Sequence, residues 1–135
     1  MKISINTTVN APLKNVWEAW VNPKDIVQWN YATEEWICPD AKIELQPKGS
    51  FNYRMEAKDG SMGFNFEGVF TKIETHQVIE YALEDGRKVN TTFVEDTQGV
   101  TVEQSFDAED EHSGKQQKKG WQAILNNFKQ HVEQK

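Results

Sequence analysis

The C-terminal segment, residues 113–132, constrains the fold of this chain more than any other feature. Its apolar residues recur every three or four positions, which places their side chains on one stripe of an α-helix. They are Trp121, Ile124, Leu125, Phe128 and Val132. Such a helix has to bury its apolar stripe against another element. The middle of the chain offers the partner, because it reads as consecutive strands with turns between them.

Alternating apolar and polar residues predict about seven strands, the first over residues 2–9 and the rest from residue 41 to residue 106. Asp59-Gly60 and Asp85-Gly86 are typical of tight hairpin turns, because both residue types tolerate a positive φ. Along residues 62–74 the apolar side chains change parity, which predicts a bulge or a bend near Gly68.

Three helices complete the prediction. Two short amphipathic helices follow the first strand, one from Pro12 to Val21 and one from Pro23 to Trp29, and Ser113 is the predicted N-cap of the long helix. Residues 30–40 show no clear period and are expected to lie at the mouth of whatever the fold encloses. The order β-α-α-β6-α indicates an α+β domain, and 135 residues fit one domain, 1–135.

Composition excludes several classes of function. A net charge of −6 argues against nucleic-acid binding, which needs a cationic face, and against an anionic membrane surface. No signal peptide or membrane span is visible, so a cytoplasmic protein is expected. Cys38 is the single cysteine and is expected to be buried. Because His76, His112 and His131 lie far apart and there is no second cysteine, no metal site is expected. No cofactor is expected either, because Gly60, Gly63 and Gly68 are spread along a hairpin and not set between a strand and a helix, as a nucleotide-binding loop requires.

The order of these elements, with its landmarks, resembles the START-like or Bet v 1-like (SRPBCC) superfamily. Within it, the chain is similar to the family related to the C-terminal domain of the Hsp90 ATPase activator Aha1. The landmarks are Asn10-Ala11-Pro12 with Val16-Trp17, Pro23 with Trp29, Lys48-Gly49-Ser50-Phe51, Gly68-Val69-Phe70-Thr71-Lys72-Ile73, Gly99-Val100-Thr101-Val102 and Gly120-Trp121. One departure is Gly49-Ser50, where the family commonly has a Gly-Gly pair. The resemblance implies a helix-grip fold, in which a curved antiparallel sheet wraps around the long C-terminal helix and encloses an apolar cavity.

Twelve residues are predicted to bind a ligand between the sheet and the C-terminal helix. They are Trp29, Trp36, Phe51, Tyr53, Met55, Phe66, Tyr81, Phe93, Gln104, Trp121, Leu125 and Phe128. The same residues could equally form a solid core. The hydroxyls of Tyr53 and Tyr81 and the amide of Gln104 favour a cavity, because buried polar groups need partners that a ligand or water could supply. Arg54 and Glu67 are predicted to point outward.

Three functions follow as hypotheses. The first is binding of a small apolar or aromatic molecule. The second is a cyclase or hydratase of the same fold. Such an enzyme needs at least two inward ionisable groups in one cavity, and the sequence places none there, so no catalytic residue can be assigned. The third, a co-chaperone, is less favoured, because the resemblance covers only the C-terminal domain of the activator. Strand edges and residues 30–40 could also support a homodimer.

Overall fold

A computed structural model describes residues 2–108 and 110–135 as a seven-stranded antiparallel sheet with three helices. The elements are β1 (Lys2–Val9), α1 (Leu13–Val21), α2 (Pro23–Trp29), β2 (Trp36–Ile43), β3 (Ser50–Ala57), β4 (Gly63–Glu74), β5 (Val78–Leu83), β6 (Lys88–Asp96), β7 (Gly99–Asp107) and α3 (Glu111–Glu133). The sheet curls into a half-barrel around α3. The predicted α+β helix-grip fold is confirmed.

Neighbouring strands follow the order β1-β7-β6-β5-β4-β3-β2, so β1 and β2 form the two edges. Short turns join β3 to β4, β4 to β5, β5 to β6 and β6 to β7, and the β5–β6 turn contains Gly86 with a φ of 87°. The chain crosses from one edge to the other through α1 and α2. Alternate residues of β7, from Val100 to Phe106, are buried on the concave face, as the alternation predicts.

Two irregular positions explain where the strand predictions were wrong. β2 begins at Trp36 rather than at residue 41, and its register with β3 shifts between Ile37 and Asp40. That shift breaks the alternation, so the sequence shows no period there. The bulge predicted near Gly68 instead lies between Phe70 and Lys72, where the β4–β5 register shifts. Phe70 and Ile73 can then both face the interior.

The long helix also begins earlier than predicted. Asp110, not Ser113, is the N-cap of α3, and the two side chains form a reciprocal capping box. The Asp110 carboxylate accepts a hydrogen bond from the Ser113 backbone N–H at 2.8 Å. The predicted acidic run, residues 107–111, extends into the first residue of α3 and includes Glu109, which lies outside the described residues.

Polar side chains fix α3 at its middle and at its end. The Gln122 amide donates to the carbonyl of Asn6 on β1 at 3.1 Å, and the Lys129 ammonium donates to the carbonyl of Thr8. The Asn127 amide donates to the carbonyl of Tyr31, just after α2, at 2.6 Å. α3 therefore lies closest to β1 and leaves space above the central strands.

A cluster of ionisable side chains around the buried Asp25 joins α2 to the C-terminal end of α3. Asp25 is 5 % exposed and accepts hydrogen bonds from His131 Nε2, at 2.8 Å, and from the Lys135 ammonium. Burial on its own would raise the pKa of the Asp25 carboxyl, but the hydrogen bonds from Lys135 and His131 outweigh burial and hold this pKa below its ordinary value. The carboxylate is thus kept charged in the folded protein.

Candidate functional site

A cavity of about 370 Å³ lies between α3 and the concave face of the sheet. Its walls come from α1, from the end of α2, from strands β2 to β5 and β7, from the β5–β6 turn and from α3. The volume is within the range of small-molecule sites in proteins. The lining residues are Trp20, Trp29, Asn30, Ile43, Tyr53, Met55, Phe64, Phe66, Phe70, Ile79, Tyr81, Leu83, Arg87, Gln104, Gln117, Trp121, Ile124 and Leu125.

Eight of the twelve predicted ligand-binding residues line this cavity. They are Trp29, Tyr53, Met55, Phe66, Tyr81, Gln104, Trp121 and Leu125. The alternation of β3, β5 and β7 and the stripe of α3 bring them to one face, since both periods select the buried side of each element. Their contact with a ligand stays a prediction.

The other four predicted residues do not lie on the cavity wall, because other rings cover three of them. Phe51 lies behind Tyr53 and Tyr81, with ring centroids 5.0 and 4.7 Å away. Phe128 is enclosed by Trp20 and Trp29, each at 4.9 Å. Phe93 is covered by Trp17 at 5.2 Å and Trp20 at 5.8 Å, and Trp36 packs outside the cavity against Phe64 at 5.7 Å.

Three polar groups on the cavity wall have no hydrogen-bond partner among the described residues: the Tyr53 and Tyr81 hydroxyls and the Gln104 amide. Tyr81 is 8 % exposed and Gln104 is 7 % exposed. Burial raises the pKa of both tyrosine hydroxyls well above the usual range, so they stay protonated and can donate a hydrogen bond. A ligand in the cavity would meet these groups as neutral donors and acceptors.

The cavity mouth is defined here by Phe64, Arg87 and Gln117. Phe64 is the most exposed lining residue, at 48 %. In the β4–β5 ladder Gly68 pairs with Leu83, which places Phe64 and Arg87 at the same end of the sheet. The Arg87 Nη1 atom lies 3.5 Å from the Gln117 side-chain oxygen on α3. The mouth therefore has an aromatic side and a cationic side.

Arg87 is held in place by Asp85 in the β5–β6 turn. Its guanidinium Nε donates to one Asp85 oxygen at 2.6 Å, and its backbone N–H donates to the other at 3.0 Å. The backbone N–H, more than the guanidinium, holds the pKa of the Asp85 carboxyl below its usual range. Among the described lining residues, Arg87 is the single charged side chain.

The ionisable residues predicted to point outward do not line the cavity. The Asn52 amide donates to Glu67 at 3.2 Å, and Arg54 pairs with Glu56 at 3.0 Å. Burial raises the pKa of the Cys38 thiol, which donates to the Asp40 carbonyl at 3.5 Å. Within the described part of the lining there is accordingly no carboxylate, imidazole or thiol to transfer a proton.

No cluster of metal ligands occurs among the residues that the structure describes. His76 lies in the β4–β5 turn with its ring 5.6 Å from Trp17, and His131 is bound to Asp25. The side chain of His112 lies outside the described residues. In the same described part of the chain, no helix is both long and apolar enough to cross a bilayer.

Ten lining residues were not predicted from the sequence, and most of them carried a usable signal. Ile79 and Leu83 share the parity of Tyr81, and Phe64 and Phe70 share that of Phe66. Gln117 lies one helical turn before Trp121, on the same side of α3. Arg87 is different, because it belongs to a turn, where no helical or strand periodicity indicates which way a side chain points. The remaining four are Trp20, Asn30, Ile43 and Ile124.

Residues 10–133 match the family described as activator of Hsp90 ATPase homolog 1-like protein. The solution structure of the AHSA1-like protein from Aeromonas hydrophila is 41 % identical, covering 99 % of this chain and 93 % of that chain with a TM-score of 0.93. A protein from Cytophaga hutchinsonii is also 41 % identical, with 98 % and 92 % covered and a TM-score of 0.85. A protein from Nitrosomonas europaea has the same fold at 14 % identity, with 99 % and 95 % covered and a TM-score of 0.85. No curated protein matches the sequence.

Proposed function

Because the chain belongs to the activator of Hsp90 ATPase homolog 1-like family, whose fold typically forms a ligand-binding cavity, we propose that it binds a small apolar or aromatic molecule between α3 and the sheet. The observation that carries this proposal is an apolar wall with three polar groups, two of them on buried residues, that have no hydrogen-bond partner among the described residues. In a solid core such groups would be expected to bond to one another or to the backbone. Here they face space of ligand size.

The composition of the wall favours binding over catalysis. Trp29, Phe66 and Trp121 supply aromatic surface on three different elements, which suits a flat or bulky apolar molecule. A cyclase or hydratase needs an acid and a base near the reacting atoms. The described lining carries one charged side chain, Arg87, and arginine does not give up its proton in proteins.

The proposal is tested with the neutral fluorescent probe N-phenyl-1-naphthylamine, whose emission rises in an apolar site. We expect saturable binding to the wild-type protein. Ile124→Trp places a large side chain in the cavity wall and is expected to lower the affinity at least tenfold. Gln116→Trp adds the same side chain to an exposed position of α3 and serves as the matched control.

Two results would contradict the proposal. One is the absence of saturable binding by the wild-type protein. The other is equal binding by the wild type and by Ile124→Trp, when circular dichroism shows that both proteins are folded. Equal binding would mean that the probe adheres to exposed apolar side chains such as Met62, which is 63 % exposed.

A further inference from the structure

The charge distribution around the cavity narrows the class of ligand. The chain as a whole is acidic, with a net charge of −6, yet the described part of the cavity wall carries a single charge, and that charge is positive. The cation, Arg87, lies at the mouth, where 32 % of its side chain is exposed. Its ion-pair partner, Asp85, accepts from the Arg87 Nε atom and does not line the cavity, so Arg87 is the charge that a ligand in the cavity would meet.

Asp85 orients the Arg87 guanidinium without using all of its donors. The carboxylate engages Nε, while Nη1 reaches only the long 3.5 Å contact with Gln117. A guanidinium carries five N–H donors in a rigid fork that matches the two oxygens of a carboxylate. The Asp85 side chain is 51 % exposed, so water screens its negative charge from a second anion at the mouth.

We propose that the ligand is an organic monoanion with an apolar or aromatic body, and that Arg87 binds its carboxylate at the cavity mouth. This inference rests on the proposed function and deepens it. Asp85 and the ligand carboxylate would share this one guanidinium, Asp85 through Nε and the ligand through the terminal nitrogens. The Gln117 amide, beside the guanidinium, can donate a further hydrogen bond to the same group.

The interior of the cavity sets the orientation of this molecule. The Gln104 amide and the Tyr81 hydroxyl are neutral, and the single cation of the described lining, Arg87, lies at the mouth. A carboxylate placed there would lose its water without gaining an opposite charge, which is costly. The body of the ligand therefore enters first, and any hydroxyl or carbonyl on it meets Gln104 and the tyrosines.

The test compares two probes of almost identical shape, biphenyl-4-carboxylate and biphenyl-4-carboxamide, by isothermal titration calorimetry at neutral pH. We expect the wild-type protein to bind the carboxylate about tenfold more tightly, the lower end of what a charge-assisted hydrogen bond provides at a partly exposed site. Arg87→Met should bring the two affinities together. Lys88→Met removes the same charge from an exposed neighbour and should keep the preference.

A second variant keeps the inference testable if Arg87→Met is poorly folded. Asp85→Asn removes the carboxylate that competes for the guanidinium and is expected to raise the affinity for biphenyl-4-carboxylate severalfold. Equal affinities of the wild type for both probes, or a preference that survives Arg87→Met, would overturn the inference and leave the proposed function standing. If neither biphenyl probe nor N-phenyl-1-naphthylamine binds the wild-type protein, both this inference and the proposed function are overturned.

Discussion

Replacing Gln104 by methionine is expected to stabilise the protein, against the usual effect of changing a buried residue. The amide is 7 % exposed and has no partner among the described residues. A buried polar group without a partner costs about 1–3 kcal/mol. Because the amide faces the cavity, water there recovers part of this cost, so we expect about 1 kcal/mol. Methionine has nearly the same length and volume and adds no polar atom.

The free energy of unfolding is measured by urea denaturation, followed by tryptophan fluorescence. An increase of about 1 kcal/mol corresponds to a rise in Tm of about 4 °C for a chain of this size. Gln122→Met is the matched control, because the Gln122 amide bonds to Asn6 and Asn126 and its loss should lower stability by about 0.5–1 kcal/mol. A loss of 1 kcal/mol or more in Gln104→Met would refute the reasoning, because it would show that the amide is already satisfied inside the protein.

Three further predictions, using four variants, test the packing and the charges. Phe128→Ala should lower the free energy of unfolding by about 3–5 kcal/mol in urea, since the ring is fully buried between two tryptophans; a loss below 1 kcal/mol would contradict this packing. Gly68→Ala should destabilise the protein, because the added Cβ would lie 2.6 Å from the Ala82 carbonyl oxygen. Gly120→Ala should stabilise it by about 0.8 kcal/mol, because a Cβ there meets no other atom and alanine favours the helix. Changes in calorimetric Tm that have the same sign for the two variants would contradict this pair of expectations. The pKa of Asp25 lies below its ordinary 3.8, so its ionised carboxylate stabilises the fold above that pH, and this stabilisation is lost as the pH falls through the lowered pKa. In urea denaturation, the difference in free energy of unfolding between the wild type and Asp25→Asn should therefore shrink in acid. A difference that does not change with pH would argue against the cluster.

The sequence contained enough information to predict the fold. Strict alternation in β1 and β7 and the stripe on α3 each select one buried face, and the order of the elements then leaves few arrangements. The errors fall where local geometry breaks the period. The register shift between Ile37 and Asp40 removed the signal of β2, and the Asp110 cap was missed because Ser113 is an equally good capping residue by type.

The candidate site was less predictable, because periodicity reports the direction of a side chain and not its depth. Phe51 and Tyr53 share a parity on β3, yet one lies behind other rings and the other reaches the cavity. That difference depends on neighbours from β4 and β5, which the sequence of β3 does not contain. Arg87 could not be assigned, because the direction of a turn residue is set by its own hydrogen bonds to Asp85.

The central claim is that the space under α3 is occupied by a small molecule in the cell. Native mass spectrometry of the protein purified from its own host tests this most directly, in the wild type and in the Ile124→Trp and Gln116→Trp variants. We expect one additional small mass on the wild type and on Gln116→Trp, and none on Ile124→Trp. No additional mass on the wild type, or the same mass on all three proteins, would contradict it.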